Sequence, residues 1–125
     1  MEGPARILIV DDERLIACDL RQQVQRLGHV VVGLAATGLE AVQHAVTDRP
    51  DVVLMDIGLR GQMDGIEAAG HIQAQVPIPV VYISAYLDDQ TLRRAQMTEP
   101  AGYLQKPVTE EALQQALARA LGKPS

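Results

Sequence analysis

Residues 6–13 read RILIVDDE: one arginine, four apolar residues, then three acids. The apolar run is too short for a buried helix, is rich in β-branched residues and shows no polar alternation. That is the pattern of a parallel strand covered by helices on both faces. It returns as VVVGL at 30–34, VVLM at 52–55, PVVYI at 79–83 and AGYL at 101–104. Amphipathic stretches separate these runs. Ile16, Leu20, Val24 and Leu27 form one stripe, stopped by Gly28 as a left-handed cap. Leu39, Val42 and Val46 form a second, and Thr37-Gly-Leu-Glu40 before them has capping-box spacing. Asp64-Gly-Ile-Glu67 opens a third, bounded by Pro77, and Asp88 or Asp89 caps a fourth that carries Leu92 and Ala95. The last follows Thr109, with Leu113, Leu117 and Leu121 on one face and Gly122 after it.

Strict alternation of strand and helix predicts an open, doubly wound parallel sheet with right-handed crossovers. Five short strands point to a flavodoxin-like (βα)5 α/β fold with strand order 2-1-3-4-5. Ligands of such a sheet bind beyond the carboxyl ends of strands one and three, where the order reverses. The 125 residues suit one domain over 1–125 with a core at about 6–121. With 47% hydrophobic and 22% charged residues the chain has an ordinary globular balance. Its one cysteine, Cys18, rules out an internal disulfide and suits a reducing compartment, so the expected location is cytoplasmic. Lys and Arg total 11 against 16 Asp and Glu, a net charge of -5 that disfavours nucleic acid as a direct partner. No apolar run is long enough to span a membrane, and no secretory signal pattern is expected at the N-terminus.

The topology sends polar residues to one edge. Strand one runs into Asp11-Asp12-Glu13, strand three into Asp56, strand four into Ser84-Ala85 and strand five into Lys106-Pro107. Carboxylates a few ångströms apart repel by several kcal/mol at an effective dielectric of about 20, so protons, Lys106 or a divalent metal must compensate. Oxygen-only ligands favour a hard ion, Mg²⁺ or Mn²⁺. Each residue alone has a plainer reading. Asp11–Glu13 could cap a helix, Asp56 could be a turn residue before Gly58, Ser84 a loop hydroxyl and Lys106 a solvated charge. Helix capping does not require all of them at one edge of one sheet.

These residues resemble the receiver domain of two-component response regulators. The likeness rests on ILIVDDE at 7–13, VVLMDI at 52–57, VVYISAY at 80–86 and GYLQKP at 102–107, in order and each on its own expected strand. The resemblance implies that Asp56 accepts a phosphoryl group from a sensor histidine kinase or phosphotransfer protein. It implies that Asp12 ligates Mg²⁺ directly, Asp11 through a water, and Asp56 and the Gly58 carbonyl complete the protein ligands. Ser84, with Ala85 beside it, and Lys106 would bind phosphoryl oxygens, and Tyr103 would move inward as Ser84 shifts. The Lys106–Pro107 peptide is expected to be cis. Ser84 stands where Thr is commoner in the family, and Tyr86 lies at the expected mouth of the site. The 56–69 segment is similar to receivers that accompany sensory kinases or stand alone. The implied output is a switched surface of the fourth helix, fifth strand and fifth helix, facing an unidentified partner or a second copy of the chain. Catalysis would extend only to the domain's own phosphorylation and slow dephosphorylation.

Other functions compete with this one. The chain could be a relay or sink receiver from a hybrid kinase or larger regulator, or a receiver-like module that works without phosphate. An aspartyl phosphohydrolase of the haloacid-dehalogenase type would need a second Asp two residues after Asp56, where Gly58 stands. A flavin phosphate would meet repulsion from Asp11-Asp12-Glu13. His29, His44 and His71 show no metal spacing and are expected to be solvated. Met55 and Met97 are expected in the core, Cys18 is expected to be packed, and Arg93, Arg94 and Arg119 are expected on exposed helix faces.

Overall fold

The computed structural model describes residues 3–122. Its elements alternate as β1 (Arg6–Val10), α1 (Arg14–Arg26), β2 (Val30–Ala35), α2 (Gly38–Asp48), β3 (Val52–Asp56), α3 (Gly65–Gln75), β4 (Val80–Ser84), α4 (Asp89–Gln96), β5 (Gly102–Gln105) and α5 (Glu110–Ala120). The strands form one parallel sheet in the order β2-β1-β3-β4-β5, the expected flavodoxin-like (βα)5 arrangement.

Side-chain alternation along each strand divides the core into two. Ile7, Ile9, Val52, Leu54, Val81 and Ile83 face α1 and α5, where Ala17, Leu20, Val24, Leu113 and Leu117 meet them. Leu8, Val10, Val53, Met55, Val80 and Tyr82 face the opposite helices and meet Ala41, Ala45, Ile66, Ala69, Ile72 and Ala95. Helix starts are fixed by side-chain caps at Thr37, Asp64, Asp88 and Thr109, each accepting from the backbone N–H three residues on. Asp64 and Glu67 complete a reciprocal capping box.

Several expectations need correction. β2 is an edge strand, and Ala35 is its one buried residue; Val30 and Leu34 are 49% and 38% exposed rather than covered. In α2 the large residues do not make the fully buried stripe: Leu39 is 60% exposed, Val46 is half-buried and Val42 packs half-buried against the core. Gly38, Ala41 and Ala45 make it, because only small side chains let this helix approach so closely. Met97 is 84% exposed, just past the end of α4, whereas Met55 is fully buried. His29 is not a solvated side chain: it is half-buried, and its Nδ1 accepts the Ala5 N–H at 3.0 Å. His44 Nδ1 is likewise engaged, 3.0 Å from Asp48 Oδ2, while His71 is exposed. No helix among the described residues is long and apolar enough to cross a membrane.

Candidate functional site

Strand register builds the site. Val10 pairs with Met55 across β1 and β3, so the residues that follow, Asp11 and Asp56, leave neighbouring strands side by side. Asp56 pairs with Ile83, and Ser84 and Gln105 end β4 and β5 opposite one another. Lys106 follows Gln105, with its backbone N–H bonded to the Ser84 carbonyl at 2.9 Å. From there its long stem reaches back across the sheet edge.

One carboxylate oxygen from each of Asp11, Asp12 and Asp56 lies within 4.8 Å of the others. Asp11 and Asp56 are 3% and 4% exposed, too buried for water to screen the repulsion. The Lys106 ammonium sits 3.2 Å from Asp11 Oδ2, 3.5 Å from Asp56 Oδ1 and 3.7 Å from Glu13 Oε1. Asp56 Oδ1 also accepts the Gly58 N–H at 3.1 Å, and Asp12 Oδ2 accepts the Arg60 N–H at 3.2 Å. Asp11 Oδ1 accepts the Glu13 N–H at 2.8 Å, but the buried Oδ2 lacks a hydrogen bond of adequate geometry despite the nearby ammonium.

One lysine does not offset this much negative charge. Burial pushes the Asp56 carboxyl above its ordinary value of 3.8 and the Asp11 charge adds to the rise, which Lys106 and the Gly58 N–H only reduce. Burial alone would lower the pKa of Lys106, yet Asp56, Asp11 and Glu13 raise it above its ordinary 10.5. The ammonium is therefore locked in its charged form, and the cluster still lacks positive charge. Nor are the acids spent on helix capping: the N-cap of α1 is Glu13, and it makes no side-chain cap bond. Three convergent carboxylates, with the buried Asp11 Oδ2 met only by the shared Lys106 ammonium, are a donor set that fits a hard divalent cation.

Beside the cluster the structure places the other expected residues. Ser84 Oγ donates to the Tyr86 carbonyl at 2.6 Å and accepts the Tyr86 N–H at 3.2 Å, so its hydroxyl is closed on its own loop. Ser84, Ala85, Tyr86 and Tyr103 line a cleft of about 390 Å³ floored by Ile57 and Tyr82. Tyr103 is 39% exposed, and its ring centroid lies 6.1 Å from that of Tyr82. Tyr86 stands out at 79% exposure. The Lys106–Pro107 peptide is cis.

Two contributors had no assigned role in the sequence reading, although Glu13 was placed at this edge. Glu13 supplies Lys106 with a third carboxylate. Gly65 lets α3 start directly against the end of β3: its N–H bonds the Ile57 carbonyl at 3.2 Å, and a Cβ there would collide with the Asp56 carbonyl and come within 2.9 Å of Ile57 Cα. The only local sign of this was a glycine immediately after the capping Asp64.

Comparison with known proteins agrees with this construction. The family profile described as "Response regulator receiver domain" matches residues 7–118. The chain is 35% identical over 120 residues to the transcriptional regulatory protein PdtaR of Mycobacterium tuberculosis, covering 96% of this chain and 58% of that protein. It is 36% identical over 116 residues to the phyllosphere-induced regulator PhyR of Methylorubrum extorquens, covering 92% and 43%. It thus spans about half the length of these curated relatives. Among solved structures, the signal receiver domain of a modulated diguanylate cyclase from Desulfovibrio desulfuricans G20 superposes with a TM-score of 0.91 at 39% identity, covering 96% of this chain and 95% of that one. The chain belongs to the response regulator receiver domain family, the receiving module of two-component signalling.

Proposed function

We propose that Asp56 is a phosphoacceptor supplied by a sensor histidine kinase or phosphotransfer protein, in a reaction that depends on Mg²⁺ or Mn²⁺. The observation that carries this reading is the convergence of the buried Asp11 and Asp56 with the partly buried Asp12, one lysine, Lys106, being shared among the acids. A carboxylate oxygen of Asp56 bonds to phosphorus as the phosphohistidine P–N bond breaks and the imidazole departs. Asp11, Asp12, Asp56 and the Gly58 carbonyl are the residues that hold the cation, which supplies charge neutralisation for the transferred group. Lys106 pairs with a phosphoryl oxygen from the other side. Ser84, with Ala85 beside it, donates its hydroxyl to another, and Tyr103 packs into the cleft that Ser84 leaves. The altered face is that of α4, β5 and α5, and its occupant is a downstream partner or a second copy of the chain.

In this reading residues 1–125 act as one receiver unit with a core at 6–121, and their catalysis stops at their own phosphorylation and dephosphorylation. The relatives carry names as different as transcriptional regulator and protein-glutamate methylesterase, which supports a common input joined to varied outputs. The test is intact mass after incubation with Mg²⁺ and a small acyl phosphate. One added phosphoryl group is expected, lost without Mg²⁺ and in Asp56→Asn. An unmodified wild-type mass with Mg²⁺ binding retained would count against phosphate as the signal. Loss of both would reduce the acidic cluster to a structural feature.

A further inference from the structure

Residues 106–109 connect β5 to α5 and carry Lys106, so whatever fixes this segment fixes the ammonium. At one end the Lys106 N–H is bonded to the Ser84 carbonyl at 2.9 Å. At the other, Gln23 of α1 donates from Nε2 to the Val108 carbonyl at 2.9 Å and to Asp19 Oδ2 at 2.8 Å. Among the described residues this is the one side-chain hydrogen bond that enters the segment from a distant element. It spans 85 positions in sequence.

Gln23 is 5% exposed, and its Oε1 is buried with no hydrogen-bond partner. Turning the amide over would place that oxygen against two other oxygens, so the two contacts dictate its orientation. A leucine would fill the same space and remove the orphaned Oε1, but it would leave the Val108 carbonyl and Asp19 without this donor. The glutamine is therefore held for its N–H groups rather than for its volume. One turn along α1, Arg26 Nε meets Glu110 Oε1 at 2.8 Å and ties α1 to the start of α5. Both tethers come from the helix whose preceding loop carries Asp11, Asp12 and Glu13.

We propose that Gln23 is a positioning residue for Lys106: its amide clamps the segment after the lysine to α1 and so holds the ammonium over Asp11 and Asp56. The inference rests on the phosphoacceptor reading of Asp56. Charge neutralisation falls steeply with misplacement, and an error of about 1 Å costs up to roughly a hundredfold in rate.

The test compares wild type, Gln23→Met and Gln23→Lys for the rate of phosphoryl mass gain from a small acyl phosphate, and for Mg²⁺ affinity by titration. Met keeps the length and volume without the donor; Lys offers an ammonium one bond farther out, with the Val108 carbonyl and Asp19 as its acceptors. The Met variant is expected to be slowed on the order of tenfold. Its Mg²⁺ affinity should stay unchanged or rise, because a loosened ammonium competes less for the carboxylates. The Lys variant should stay within about twofold of wild type. A Met variant at the wild-type rate overturns the clamp. So does a Lys variant slowed as much as Met, or a fall in Mg²⁺ affinity parallel to the rate. A wild type that gains no phosphoryl group brings down the phosphoacceptor reading itself, an outcome distinct from these.

Discussion

Helices α3 and α4 lie on the same face of the sheet, each opened by an aspartate cap, yet they are held by different forces. α3 buries Gly65, Ile66, Ala68, Ala69 and Ile72 and is locked at its start by a capping box. α4 has 8 residues and buries one, Ala95. Polar contacts hold the rest of it. Arg94 meets Asp64 Oδ2 at 3.0 Å, and the Tyr82 hydroxyl lies 2.6 Å from Thr98 Oγ1, which donates to the Ala95 carbonyl at 2.7 Å. Apolar burial is non-directional and summed over many atoms, so α3 does not hang on any one bond. α4 instead depends on a few directional bonds and buries little apolar surface, so opening it locally should cost less than opening α3.

The contrast is broken most severely at Gly65. Gly65→Ala should cost roughly 3–4 kcal/mol, because the colliding Asp56 carbonyl is backbone and cannot turn aside. Urea unfolding measures this, and a near-neutral result would mean α3 can shift off β3. Truncation comes next. Ile72→Ala, fully buried in α3, should cost about 3 kcal/mol. The matching Leu92→Ala on half-buried α4 should cost less than about 1 kcal/mol. Equal losses would erase the distinction between the helices. Tyr82→Phe removes only the hydroxyl bonded to Thr98 and should cost about 1 kcal/mol. Faster amide exchange should follow in α4 and not in α3, and uniform exchange would place the tether elsewhere.

The smallest effect concerns charge. The native pKa of Asp56 is raised, so the folded state holds that proton more tightly than the unfolded chain does. Ionised Asp56 therefore opposes folding above that pKa. Without divalent cations, Asp56→Asn should be the more stable protein at pH 7. Its advantage should shrink as pH falls through the raised range and vanish below the ordinary 3.8. Urea midpoints at several pH values decide this, and a constant gap would assign the effect to packing.

Much of this architecture was legible in the sequence because it is local. Buried parallel strands must be apolar on both faces, and Thr37, Asp64 and Thr109 announce helix starts through bonds to residues three positions away. The acidic edge was legible because topology alone brings the ends of β1 and β3 together. What escaped was tertiary. The small face of α2 is set by how closely a neighbour approaches, which the larger Leu39, Val42 and Val46 concealed. Gly65 is needed because of a carbonyl nine residues earlier, and Gln23 because of one 85 residues later. The exposure of Met97 follows from the shortness of α4, which the pattern of apolar residues left undefined.

The Ser84 hydroxyl has a single proton, already given to a carbonyl 2.6 Å away. Any new acceptor must outbid that carbonyl; turning the proton alone breaks one bond, whereas moving the Oγ itself also gives up the Tyr86 N–H it accepts at 3.2 Å. Displacing the Ser84 side chain therefore carries a threshold of two hydrogen bonds, and reorienting its proton a threshold of one.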